Sequence, residues 1–223
     1  MKAPIEYLVV CPELLNSPDD TLQRINTHLR NDQILEVSQE TFKRFSTKDG
    51  PKGLAAVLHQ QWSSLTDMDD AGLCWVALSS VANPGNLGTI LRTCDAVNVR
   101  WLILLDRSAD PYDPTALRAG MGAHLSVRLV KTGFDELVAW KHAGNLKMIG
   151  TSDRADQDYH QTRYPRNCIL LMGSEREGLT PDMVLPCDQL VGIPMAGRAD
   201  SLNLSVATSV ILYEMYNQKR DNT

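Results

Sequence analysis

The stretch LCWVALSSVANPGNLGTILRTCDAVNVRWLILL, residues 73–105, decides the fold. It opens on an apolar run at 73–78 and closes on another at 101–105, each the length of a strand and almost without polar interruption. Between them Leu87, Ile90, Leu91, Cys94 and Val97 recur at helical spacing, which puts a core stripe on one face of a helix over 87–97. Strands that are apolar on both faces and joined through a helix are the material of a parallel sheet.

The alternation continues towards the C-terminus. Strand-like runs follow at 126–130, 146–150, 168–172 and 189–193, with helical stretches at 114–121, 134–143 and 203–217. The class is α/β: a parallel sheet with helices on both faces. Towards the N-terminus the pattern changes at the acidic, aperiodic stretch Thr66, Asp67, Met68, Asp69, Asp70. Before it lies a small α+β segment, with strands at 5–11, 33–37 and 53–58. A helix is expected over 19–29, started by Ser17 and Pro18, and a short one reaches Phe45 with Ser38 as its N-cap. The expected organisation is a small domain over 1–66, a linker over 67–72 and a larger domain over 73–223.

Composition excludes much. With 43% hydrophobic and 22% charged residues in 223, the chain is neither disordered nor of low complexity. No apolar run reaches the length of a membrane span, and the first residues lack a signal peptide's layout, so the reading is of a cytoplasmic protein. Five scattered cysteines without a CxxC pair argue against a disulfide framework and against zinc, and the five histidines show no metal spacing. Net charge is −5, with 7 basic against 11 acidic residues up to residue 70. Nucleic-acid binders usually carry a basic excess, so an RNA partner here requires a local patch or a groove between two copies.

No GxGxxG, GxxxxGK[ST] or GxSxG is present. Three other segments stand out, each following an expected strand: NPGNLGTILRT at 83–93, LMGSEREGL at 171–179 and IPMAGRADSLNLSVA at 193–207. A loop that opens a helix offers backbone N–H groups to an anion, and loops at the carboxyl ends of parallel strands are where such sheets bind ligands. Asn86 reads equally as a plain N-cap, as do Ser201 and Asn203 for the last helix. By the 100° step of a helix, Arg92 points about 140° away from Leu87 and off the core stripe.

In this order the three segments resemble the signature motifs of SPOUT RNA methyltransferases of the SpoU/TrmH branch, over about 150 residues. The matching positions are Asn86, Gly88 and Arg92, then Gly173 to Leu179, then Ile193 to Met195 with Ser201 to Ala207. The resemblance implies a sheet whose C-terminal part is tied into a trefoil knot, a topology that chain-connection rules treat as exceptional. It implies S-adenosylmethionine as the methyl donor, bound by Gly173, Ser174, Ile193, Met195 and Leu202, with no metal. Gly173 would let the ligand approach the backbone, while Ile193, Met195 and Leu202 would sandwich an adenine.

The implied reaction is methylation of an RNA ribose 2′-hydroxyl. An alcohol is a weak nucleophile near neutral pH and needs alignment, proton removal or both. Arginine stays protonated in proteins, so Arg92 is read as a clamp on the target phosphate rather than as a base. Asn86 would position Arg92 or the ribose, and Glu175, Ser201 and Asn203 would complete the pocket. The resemblance also implies a homodimer through the knotted domain, with Arg118, Arg128, Arg154, Arg163 and Arg166 as candidate lining of an RNA groove. The first 65 residues resemble the later part of a small ribosomal-protein-like RNA-binding domain, which favours ribosomal over transfer RNA. Two other readings stand beside this one: a non-catalytic RNA-binding or ribosome-assembly factor on the same fold, and methylation of a base.

Overall fold

The computed structural model describes residues 5–16, 29–46 and 50–221, together with Gln23 and Ile25. The helix expected over 19–29 lies almost wholly outside the described residues. The chain divides into two units, Met1–Gln60 and Gln61–Thr223.

In the first unit β1 (Ile5–Val10) is central, with β2 (Ile34–Glu36) parallel on one side and β3 (Leu54–Leu58) antiparallel on the other. Helix α1 (Gln39–Phe45) starts where Ser38 Oγ accepts from the Thr41 N–H at 3.3 Å, the cap that the sequence implied. Among the described residues of this unit the buried core is small: Val10, Cys11 and Phe42. Tyr7, Leu35, Leu54, Val57 and Leu58 stay exposed.

The second unit carries a seven-stranded sheet in which every pairing is parallel. Its strands are β4 (Trp75–Ser79), β5 (Trp101–Leu105), β6 (Arg128–Thr132), β7 (Lys147–Thr151), β8 (Gln157–Asp158), β9 (Cys168–Met172) and β10 (Gln189–Gly192). They lie in the order β6-β5-β4-β9-β7-β10-β8. The helices are α2 (Pro84–Ala96), α3 (Pro114–Gly120), α4 (Phe134–Ala143), α5 (Pro181–Val184) and α6 (Leu204–Asp221). Alternation along the strands sorts two cores. Val76, Leu78, Leu102 and Leu104 pack with Leu87 and Leu91 of α2 and with Ile211 and Met215 of α6. Trp75, Ala77, Trp101 and Ile103 pack with Leu137 of α4 on the opposite face.

Two short elements escaped the sequence reading. Strand β8 has two residues and α5 four, too few for any periodicity to register. The strand expected at 126–130 lies two residues later, because a 3₁₀ turn at Ala123–Leu125 delays it. The helix expected from residue 87 begins at Pro84.

The boundary between units falls at Gln60, ahead of the acidic stretch read as a linker. The Tyr112 hydroxyl accepts from the Gln61 N–H at 2.9 Å and donates to its carbonyl at 2.7 Å. Ser63 bridges Val130 of β6, its N–H donating to the Leu129 carbonyl at 2.8 Å. The acidic residues do more than solubilise. Asp69 accepts from the Trp101 indole N–H at 2.8 Å, and its own carbonyl accepts from that of Trp75. Arg128, at the start of β6, lies over the Trp101 ring at 4.9 Å.

A second polar cluster lies at this same amino-terminal edge of the sheet. Asp188 accepts from Lys141 at 2.9 Å, from Lys147 at 2.8 Å and from the Met148 N–H at 2.9 Å. Lys141 is buried. Partial burial pushes the Asp188 carboxyl up, but Lys147, the Met148 N–H and Lys141 together hold it well below the usual carboxylate range.

Candidate active site

Strands β4 and β9 are neighbours, yet the chain leaves β4 towards β5 on one side and leaves β9 towards β10 on the other. Loops that diverge at such a point leave a crevice at the carboxyl edge of the sheet. A cleft of about 770 Å³ opens there, lined by Ser80, Ala82, Asn83, Pro84 and Asn86, by Ser174 to Glu177 and by Ser201 to Leu204. Three segments separated by some 90 and 30 residues thus meet at one place.

The first wall is set by Asn83. Its Oδ1 accepts from the N–H groups of Gly85 at 2.7 Å and Asn86 at 3.3 Å, and Pro84 occupies the first helical position. Asn83, not Asn86, is therefore the N-cap of α2. An Asn followed by Pro was the signal that could have found it. Asn86 sits in the first turn with its side chain free to reach across the cleft. Ser80 holds a left-handed φ of +51°, turning the chain sharply out of β4.

The second wall is the loop after β9. Ser174 and Gly178 exchange backbone hydrogen bonds of 3.0 and 3.2 Å, and Ser174 Oγ accepts from the Glu177 N–H. A Cβ on Gly173 would stand 2.1 Å from the Gly178 carbonyl carbon. The glycine is thus required by the loop's own closure, whereas the sequence reading gave it to close approach of a ligand. Gly88 has a similar reason: its Cβ would stand 2.3 Å from the Ala116 carbonyl oxygen, so it lets α3 pack against α2.

Glu175 joins the walls. Its carboxylate accepts from the Ala82 N–H at 3.0 Å, the Asn83 N–H at 3.2 Å and Asn86 Nδ2 at 3.3 Å. Partial burial pushes the Glu175 carboxyl up, but these donors outweigh it and the group lies below its ordinary value. The third wall closes the set. Asn203 Nδ2 donates to Asn86 Oδ1 at 3.1 Å, and Asn203 Oδ1 accepts from the Ser205 N–H and hydroxyl at 2.9 and 2.7 Å, capping α6.

Of the residues chosen from sequence, Asn86, Ser174, Glu175, Ser201, Leu202 and Asn203 line the cleft. Arg92, Gly173, Ile193 and Met195 are not among its lining residues. Arg92 is exposed on α2, six residues beyond Asn86 and so about 9 Å further along the helix, on a different face. Among the described residues it has no hydrogen-bond or ion-pair partner. Ile193 is partly buried against the core, while Met195 and Leu202 are 38% and 36% exposed. From Pro194 to Ser201, among the described residues, the backbone makes no hydrogen bond to other protein groups. Unused N–H and C=O groups beside exposed apolar side chains suit the ring edge and faces of an adenine.

The basic residues grouped from sequence do not gather at one edge: Arg154 follows the carboxyl end of β7, on the cleft's side of the sheet. Arg128 opens β6 at the opposite edge, and Arg166 stands two residues before β9 begins. Among the described residues no group of His, Cys, Asp and Glu could hold a metal, and no helix is long and apolar enough to cross a membrane. The five cysteines are free, and burial pushes the Cys168 thiol up to about 12, which leaves it without nucleophilic character near neutral pH.

Comparison with known proteins places this geometry. Residues 74–213 match the SpoU rRNA Methylase family. The 23S rRNA (guanosine(2553)-2'-O)-methyltransferase RlmP of Bacillus subtilis is 28% identical over 94% of this chain and 86% of its own. The 23S rRNA (guanosine-2'-O-)-methyltransferase RlmB of Salmonella typhi is 38% identical over 64% of this chain and 59% of its own length. The AdoMet-bound rRNA methyltransferase of Sinorhizobium meliloti superposes with a TM-score of 0.86 at 31% identity, over 96% of this chain and 80% of that one.

Proposed function

The chain belongs to the SpoU rRNA methylase family, and we propose that its cleft carries S-adenosylmethionine-dependent methylation of a ribose 2′-hydroxyl in ribosomal RNA, with RNA of the large subunit as the substrate. The observation that carries this reading is the hydrogen-bonded joining of Asn86, Glu175 and Asn203, one from each of the three motif segments. A non-catalytic RNA-binding factor has no need to align these groups around an open cleft.

The residues present fit the cofactor. Leu202, Met195 and the unpaired backbone after Ile193 would hold its adenine, and the closed loop from Gly173 to Gly178 would form the floor. When bound, S-adenosylmethionine supplies an electrophilic methyl carbon on its sulfonium. Glu175 is not the base that accepts the hydroxyl proton: its oxygens are engaged by three donors and its carboxyl is held ionised. It staples the loop before α2 to the loop after β9. Arg92 is the cationic group of the first motif segment, as Arg176 and Arg198 are of the other two, and its exposed guanidinium is free to make a bidentate contact with the phosphate beside the target ribose. That contact would hold and polarise the 2′-hydroxyl.

Arg92 stands away from the cleft lining, and a homodimer reconciles the two by bringing an RNA groove across both copies. Support comes from α6, where Val206 and Tyr213, seven residues apart on one face, are each 47% exposed. The trefoil knot is supported by the return of the 193–203 loop to Asn86, after β9 has been inserted between β4 and β7. The first unit serves as the substrate-selecting domain. The test is transfer of labelled methyl into unmodified ribosomal and transfer RNA, followed by nucleoside analysis. A 2′-O-methylated nucleoside in ribosomal RNA is the expected product; a methylated base, or label in transfer RNA alone, would overturn the assignment.

A further inference from the structure

The hydrogen bonds across the cleft run in one direction only. At one end stands the Ser205 N–H, which can only donate. At the other stands the Glu175 carboxylate, ionised and able only to accept. Between them lie two amides, Asn203 and Asn86, each of which could in principle face either way. The fixed ends remove that freedom. Because Ser205 donates, the atom of Asn203 that faces it must be Oδ1, so Nδ2 faces Asn86. Asn86 must then present Oδ1 to Asn203 and Nδ2 to Glu175. Turning either amide would set a donor against a donor.

Ser205 does more than supply one N–H. Its hydroxyl donates a second, shorter bond of 2.7 Å to the same Oδ1. Ser205 is 6% exposed and does not line the cleft, so it cannot touch RNA or cofactor. Its neighbours in α6 spend their hydroxyls otherwise, Thr208 on the Leu204 carbonyl and Ser209 on the Ser205 carbonyl. Only the Ser205 hydroxyl points back towards the cleft residues.

We propose that Ser205 is a positioning residue for methyl transfer: by holding Asn203 Oδ1 with two donors it fixes the orientation of both cleft amides as far as Glu175. The proposal rests on the reading of this cleft as the methyl-transfer site. Without the hydroxyl, Asn203 is held by a single backbone bond, its amide gains rotational freedom, and Asn86 loses a fixed partner.

The test combines kinetics with the side-chain amide resonances of ¹⁵N-labelled full-length protein. In Ser205→Ala, kcat falls about three- to tenfold, the loss of one neutral hydrogen bond, while the KM for S-adenosylmethionine stays at the wild-type value. The Asn86 side-chain amide resonances shift, although Asn86 does not touch Ser205. A merely structural role would leave them in place. Asn203→Asp supplies a second reading, since it keeps both bonds from Ser205 and replaces the donor to Asn86 by an anionic acceptor; the same resonances move. Unmoved Asn86 resonances in either folded variant, or an unchanged kcat in Ser205→Ala, would overturn the proposal. Wild-type protein that fails to methylate ribosomal RNA would instead sink the reading of the cleft, whatever the resonances show.

Discussion

The two edges of the seven-stranded sheet both carry polar networks that tie distant segments together, and they differ in what the networks enclose. At the amino-terminal edge Asp188 gathers two lysines and a backbone N–H, with Lys141 buried beneath. At the carboxyl edge Glu175, Asn86 and Asn203 are equally well hydrogen-bonded, but they line about 770 Å³ of open space. Satisfied polar groups around a closed spot hold a fold together; the same groups around a cleft are preorganised for a guest.

Substitutions at the two edges should therefore fail in different assays. The largest effect is expected for Arg92→Ala, which should cut methyl transfer by two to three orders of magnitude, on the order of a lost transition-state contact. Titration calorimetry should find S-adenosylmethionine binding nearly unchanged; equal loss of both would remove Arg92 from its role. Next comes Asp188→Ala, which strands the buried Lys141. Discounted for partial exposure, it should cost about 2–3 kcal/mol of stability in urea melts, with kcat intact below the transition.

Glu175→Gln keeps the shape but replaces one acceptor oxygen by a donor amide. At least one of the Ala82, Asn83 and Asn86 donors then loses its partner, at roughly 1–2 kcal/mol, so transfer and melting temperature should fall together. A full-rate Glu175→Gln enzyme would refute the staple. The smallest effect is a slope. Since the folded state depresses the Asp188 carboxyl, its contribution is present above the ordinary carboxylate value near 4 and is lost as pH falls below it. Asp188→Asn should flatten the acid limb of the stability curve, and an unchanged limb would deny the network its role.

Much of this contrast was legible in the chain. The βαβ unit over 73–105 announced itself because β4 and β5 are buried along their whole length and so read as unbroken apolar runs. Helix α4 could be bounded to the residue, since Gly133 and Gly144 flank it. The three motif segments pointed to Asn86, Glu175 and Asn203, which do meet. What the sequence could not carry was direction and partnership. Asp69 looked like one more acidic residue in a linker, because its indole partner lies 32 residues on. Asp188 likewise finds Lys147 41 residues back. The role of Asn83 was hidden for the opposite reason, being so local that Asn86 competed with it for the same cap.

Gly173 and Gly88 change how a mutational map of this protein should be interpreted. Each stands where a single added carbon would collide with a neighbouring backbone, at 2.1 and 2.3 Å. In a saturation screen scored by activity alone, both will rank beside Arg92 as intolerant positions and will pass for ligand contacts. Scored instead by the amount of soluble protein that survives in the cell, the two glycines should drop out with the folding-defective class while Arg92 stays near wild type. Intolerance to substitution along the three motif segments is then a sum of two requirements, one for a loop or helix pair that can close and one for chemistry, and the glycines answer to the first.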